Sequence, residues 1–78
     1  MKAYILVTTK PGTSEQVVNS IKDARKVKGV VMADSVFGKY DAIVVIEAAD
    51  MGKIGRVVYE VVEKIPNIIH TETALTVF

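Results

Sequence analysis

The fold of this chain is set by one stretch of sequence, Phe37-Gly38-Lys39-Tyr40-Asp41-Ala42-Ile43-Val44-Val45-Ile46. Its first half is typical of a tight hairpin loop, because Gly38 supplies backbone freedom and Asp41 can bond to backbone groups nearby. The apolar run that follows is typical of a buried strand. Together the two halves predict a hairpin that delivers the chain into the interior of a sheet.

The segments on either side of this hairpin show strand or helix periodicity. Four segments are β-branched or alternate apolar with polar residues and are predicted strands: 2–9, 30–36, 41–48 and 68–78. The first of two predicted helices has Thr13 as its N-cap with Gln16 in the capping-box position, and it ends at Gly29. The second has Asp50 as its N-cap and ends at Pro66-Asn67.

The element order is therefore βαββαβ. Right-handed crossovers fold this order into a four-stranded antiparallel sheet with two helices on one face, the ferredoxin-like α+β plait, as a single domain over residues 1–78. Two helices cover only one sheet face, yet the first and third strands are apolar at nearly every position. We therefore expect a second copy to cover the other face, in a dimeric α/β barrel-type assembly.

Composition excludes several classes of function. Ten Lys and Arg against nine Asp and Glu leave a net charge of +1, too small a field to favour nucleic acid, an anionic membrane or a polyacidic partner. The absence of cysteine excludes disulfides and thiolate metal sites. The apolar runs are too short to cross a bilayer, and no secretory signal is evident, so the sequence predicts a cytoplasmic protein.

Catalytic and metal chemistry find little support. His70 is the single histidine, which excludes a multi-histidine metal site within one chain. The serines at 14, 20 and 35 have no neighbouring base in a recognisable motif. A basic cluster formed by Lys22, Arg25, Lys26 and Lys28 is interpreted as a solvated helix end. We expect no catalytic residue, no metal and no cofactor.

Two segments carry groups suited to a small ligand, and the fold is expected to bring them together. They are the Gly38–Asp41 loop and Thr71-Glu72-Thr73 in the last strand. Hydroxyls, a carboxylate, a lysine and backbone groups freed by a glycine can bind the ammonium and the carboxylate of a zwitterion.

At these segments the chain resembles the effector-binding RAM domain of the leucine-responsive/asparagine-regulator (Lrp/AsnC) family of transcription regulators. Val36–Asp41 is similar to the family's G-x-Y-D signature, and Ile65–Ile68 with Thr71–Thr73 is similar to its I-P-G-V and T-x-T. The resemblance implies amino-acid effectors bound between dimers that assemble into rings or octamers. Carried over by position, the implied effector-binding residues are Gly38, Lys39, Tyr40, Asp41, Thr71 and Thr73.

The chain also departs from the family pattern. Ala42 stands where members usually have a larger residue, Asn67 replaces a glycine, and Lys26–Gly29 stands where many members have I-P-G. Because the first strand begins at Lys2, no room is expected for the DNA-binding helix-turn-helix of the family's regulators. The resemblance therefore implies a stand-alone RAM module that does not bind DNA itself and modulates full-length Lrp/AsnC regulators by co-assembly.

Two other functions stay open. One is a small enzyme on the related dimeric α+β barrel, of monooxygenase or isomerase type, with His70 or Tyr40 in a cavity within each chain. The other is a purely structural assembly module. A pocket between dimers favours the sensing module, and a closed polar cavity within one chain favours the enzyme.

Overall fold

The computed structural model of the protein describes residues 1–23 and 29–78, with the backbone alone for Val62. The six elements follow the predicted order: β1 (Lys2–Thr9), α1 (Ser14–Asp23), β2 (Val30–Ser35), β3 (Ala42–Glu47), α2 (Met51–Lys64) and β4 (Ile68–Leu75). The predicted extension of α1 to Gly29 and the basic cluster at Arg25, Lys26 and Lys28 lie outside the described residues. Gly29 itself has a φ of 101°, in the region that favours glycine.

The four strands form one antiparallel sheet in the order β2-β3-β1-β4. The central pair, β1 and β3, aligns Ile5 with Val44 and Tyr4 with Val45. The predicted ferredoxin-like plait is confirmed. The described part of the chain has no helix long and apolar enough to cross a membrane.

One sheet face and the two helices enclose the core. Every second residue of β1 is buried, and its neighbours are half-buried. The fully buried side chains of the strands meet those of the helices: Ile5, Val7, Val44 and Ile46 from the sheet, and Val17, Ile21 and Val61 from the helices. Alternation along the strands and helical spacing along α1 and α2 thus converge on one apolar layer.

Neither of the two described helices, α1 and α2, lies on the other sheet face. Its centre is apolar, formed by Tyr4 and Leu6 of β1 with their register partners Val45 and Ile43 of β3. Val45 is only 4% exposed even in a single chain, whereas Met32 beside it on β2 is 49% exposed. We call this surface the open face. The predicted dimer that would cover it stays a prediction.

Three of the four strands begin or end at residues other than those predicted. The loop between β2 and β3 runs from Val36 to Asp41, so β2 ends one residue early and β3 begins one residue late. The predicted end of β4 at Phe78 is wrong, because β4 stops at Leu75. Thr76 still donates its backbone N–H to the carbonyl of Lys2 at 3.0 Å. Beyond that point β1 offers no partner.

Helix ends follow the predicted residues. Asp50 caps α2, its carboxylate accepting the Lys53 amide at 2.9 Å. Asn67 follows α2 with a φ of 73°, as expected of the residue that replaces a glycine. Thr13 precedes α1, but its hydroxyl donates to the carbonyl of Lys10 at 2.7 Å and does not form the predicted capping box.

Candidate functional site

The loop between β2 and β3 is closed by its own backbone. The Val36 N–H donates to the carbonyl of Asp41 at 2.9 Å, across the base of the loop. Gly38 has a φ of 143°, and a Cβ built on it would meet no atom within 4 Å. The glycine is therefore required by the backbone conformation and not by lack of space. Phe37 beside it is fully exposed.

Asp41 fastens this loop to β1. Its N–H donates to the carbonyl of Val7 at 2.9 Å, and its carboxylate accepts the N–H of Thr9 at 2.8 Å. Val7 is the last residue of β1 that pairs with β3, so the amide of Thr9, two residues further on, has no backbone partner in that ladder. The carboxylate of Asp41 thus serves a distant strand and not the backbone of its own turn.

Tyr40 joins the loop to β4. Its hydroxyl donates to a carboxylate oxygen of Glu72 at 2.7 Å. The other carboxylate oxygen of Glu72 lies 3.6 Å from Nε2 of His70, an ion pair when the imidazole is protonated. The Nζ of Lys39 lies 5.7 Å from the centroid of the Tyr40 ring. These contacts place four polar side chains together at one corner of the sheet, and we call them the corner cluster: Lys39, Tyr40, His70 and Glu72.

Hydrogen bonding shifts the titration of two of these groups. The bond from Tyr40, helped by His70 and the charge of Lys39, holds the pKa of Glu72 below its ordinary value. The same bond raises the pKa of Tyr40, because losing the phenolic proton would put two negative charges side by side. The corner cluster therefore keeps a carboxylate and a neutral phenol over a wide range of pH. Because the single O–H of Tyr40 is donated to Glu72, the free lone pairs of the carboxylate and of the phenol oxygen can accept hydrogen bonds from an ammonium group.

Thr71 and Thr73 face away from the corner cluster. They pair in register with Val7 and Ile5, both buried on the helix side of the sheet, whereas Glu72 pairs with Leu6 on the open face. Of the six predicted effector residues, Tyr40 bonds to Glu72 of β4, and Lys39 lies over the Tyr40 ring. Gly38 sets the backbone of the loop that carries both. The carboxylate of Asp41 is hydrogen-bonded to Thr9, and Thr71 and Thr73 lie on the other side of the sheet. Their role in effector binding stays a prediction.

Two cluster members, Glu72 and His70, are not among the six implied effector-binding residues, although Glu72 belongs to the Thr71–Thr73 segment singled out in the sequence. Glu72 lies between the two predicted threonines, and the alternation along the last strand already separates it from them. His70 lies two residues before it on the same face. Within residues 1–23 and 29–78, no three His, Asp or Glu side chains are grouped closely enough to hold a metal ion.

The sequence matches the model of one protein family over nearly its whole length. The model of the Lrp/AsnC ligand binding domain matches residues 2–77. No curated protein matches the sequence. A solved structure of a hypothetical protein from Pyrococcus horikoshii superposes with a TM-score of 0.82 at 27% identity, covering 99% of this chain and 89% of that one.

Two more distant structures share the fold alone. One is a transcriptional regulator from Neisseria meningitidis in complex with L-methionine: TM-score 0.77, 14% identity, 99% of this chain and 49% of that chain covered. The other is a dehydrochlorinase from Burkholderia phenoliruptrix: TM-score 0.63, 12% identity, 97% and 93% covered. Since this fold occurs in a regulator and in an enzyme, it does not by itself assign a function.

Proposed function

The chain belongs to the Lrp/AsnC ligand binding domain family, and on that premise we propose that it is a non-enzymatic sensing module that binds an amino acid or a similar small zwitterion between subunits. The match over residues 2–77 carries the proposal. The bond between Tyr40 and Glu72 supports it, because it brings the loop and β4 to one place. In this proposal Glu72 receives the ligand's ammonium, and Lys39 receives its carboxylate.

Self-assembly is the second part of the proposal. Two copies pack their open faces together into a dimer, and dimers assemble further into a ring or an octamer with the ligand between them. The apolar centre of the open face supports this arrangement, since Leu6 and Ile43 lie there and neither α1 nor α2 covers them. The corner cluster borders this face through Glu72 and His70, so an assembled partner would approach it directly.

The assembled module is also proposed to act on transcription regulators of the same family. The module acts in the cytoplasm by co-assembling with full-length Lrp/AsnC regulators and shifting their ligand response, without contacting DNA itself. The nearly balanced charge, +1 in all, supports this because a DNA-contacting surface needs an excess of basic groups.

Thermal unfolding against a panel of the common amino acids at millimolar concentration tests the proposal. A ligand at 100 times its dissociation constant adds about 2.7 kcal/mol to the folded state, enough to raise the Tm of a small domain by several degrees. We expect a selective shift that is lost in Glu72→Gln and kept in Glu63→Gln, a matched change of an exposed glutamate on α2. A panel without any shift, or a shift that survives Glu72→Gln unchanged, would contradict the proposed site.

A further inference from the structure

A concave site lies at the opposite end of the sheet from the corner cluster. It is a cavity of about 520 Å³ beside α2, closed on one side by the short connection from β3 to α2, where Ala48 and Ala49 line it. The corner cluster adjoins the first residue of β3, and this cavity adjoins the last, Glu47. At about 3.4 Å per residue, a strand of this length keeps the two sites roughly 17 Å apart.

Small residues line part of this cavity. Gly29 also lines it, and a Cβ added there would lie 3.0 Å from the carbonyl oxygen of Glu47 and 3.2 Å from a methyl group of Val57. The chain entering β2 is therefore packed tightly against β3 and α2. The alanines on the adjoining connection extend only a methyl group each, which leaves room for a ligand.

The lining of this cavity is charged and rich in cations. Lys53, Arg56 and Lys64 of α2 contribute three positive charges, and Glu47 and Glu60 contribute two negative ones. Among the residues that the structure describes, the one ion pair within 4.0 Å is that of His70 with Glu72. The five charged groups around the cavity are thus not neutralised by one another at contact distance.

The placement of the cations favours an anion. Lys53 and Arg56 are one turn apart on α2, so the two cations are neighbours on the helix surface that lines the cavity. The planar guanidinium of Arg56 can donate two parallel hydrogen bonds to a carboxylate or a phosphate, and the ammonium of Lys53 adds a point charge. Glu47 and Glu60 can accept hydrogen bonds from hydroxyl groups of the same ligand.

We infer that this α2 cavity is a second ligand site, for a small organic anion that carries carboxylate or phosphate groups together with hydroxyls. The volume lies within the range of small-molecule pockets and is far larger than one phosphate ion requires. The described lining residues include no aromatic ring, which favours a hydroxy acid or a sugar phosphate over a nucleotide. The inference is independent of the amino-acid site.

Calorimetric titration of the intact protein with citrate and with glucose 6-phosphate, at constant ionic strength, tests this inference. Glucose serves as the uncharged control ligand. We expect saturable binding of at least one anion, with a Kd raised about tenfold or more in Arg56→Gln, because a hydrogen bond to a charged group is lost. Lys10→Gln, a matched change of an exposed lysine outside the cavity, should leave the Kd unchanged.

Three results would overturn the inference. These are no saturable binding of either anion, binding that persists unchanged in Arg56→Gln, and equal weakening in Lys10→Gln, which would indicate a general charge effect. Lys53→Gln provides a second variant should Arg56→Gln fail to fold, as judged by circular dichroism, and the same weakening is expected of it. An unchanged response to amino acids in these variants would show that the two sites are separate.

Discussion

Asp41 anchors to β1 the loop that carries Lys39 and Tyr40 of the candidate site. Its carboxylate bonds to the amide of Thr9, a residue that is only 5% exposed. Removing the carboxylate leaves a buried N–H without its partner, so we predict that Asp41→Ala lowers the free energy of unfolding by about 1–3 kcal/mol. Asp41→Asn keeps an acceptor oxygen and should lose less. Urea denaturation of the two variants measures this difference, and equal losses would contradict the assigned role.

The bond between Tyr40 and Glu72 predicts a pH dependence. Because the pKa of Glu72 is lowered in the folded protein, its contribution to stability is present above its ordinary pKa and is lost as the pH falls through the lowered value. The raised pKa of Tyr40 acts in the opposite range: its contribution is present below the ordinary pKa and is lost as the pH rises through the raised one. Both groups are exposed to solvent, so the effect is measured better by titration than by unfolding.

We predict that Tyr40→Phe raises the pKa of Glu72 toward its ordinary value, because the main group that stabilises the carboxylate is removed. NMR titration of the Glu72 carboxyl carbon measures the change. Tyr59→Phe, which removes the hydroxyl of an exposed tyrosine on α2, is the control and should leave the titration unchanged. A pKa that does not move in Tyr40→Phe would mean that the hydrogen bond is absent in solution.

The roles of these residues could be predicted from sequence only in part. The loop and its glycine were predictable, since Gly38 precedes a buried strand and local turn chemistry is visible in sequence. The partners were not, because Asp41 meets Thr9, and Tyr40 meets Glu72, each across 32 positions of sequence. Only the register of β1 with β3 and β4 brings them together.

At the scale of elements, Asn67 lies in the short connection between α2 and β4 and has a left-handed backbone conformation. Its φ of 73° is strained for residues that branch at Cβ, such as valine. We predict that Asn67→Val lowers the free energy of unfolding by about 1–2 kcal/mol, whereas Asn67→Gly leaves it nearly unchanged. Chemical denaturation of both variants measures this, and a Val variant as stable as the Gly variant would show that the chain leaves α2 differently.

Element types were more predictable than element ends. Helical periodicity in α1 and α2, and short runs of β-branched and apolar residues in β1 and β3, decide the types. The end of β4 depends on its neighbour, since the ladder stops where β1 offers no further residue, and no pattern within 68–78 contains that information. The register shifts in the edge strands, near Val31 of β2 and Ile69 of β4, likewise have no local signal.

For the whole molecule, the open face decides between a single chain and an assembly. A domain of 78 residues hides only about 60% of its chain surface when it folds alone. The apolar centre around Leu6 and Ile43 adds an uncovered surface to that small core. A second copy packed on this surface would remove it from water and add to the stability of the fold.

We predict that the protein has the mass of at least a dimer in solution and that Leu6→Lys converts it to a monomer. Lysine at this position can pair with Glu72, its register partner, so the chain should stay folded while its apolar contact to a second copy is lost. Tyr59→Lys places the same charge at an exposed apolar position on α2 and should leave the mass unchanged. Analytical ultracentrifugation with circular dichroism measures both properties. A folded Leu6→Lys variant that keeps the full mass would place the interface elsewhere, and a wild-type mass of one chain would remove the assembly from the proposed mechanism.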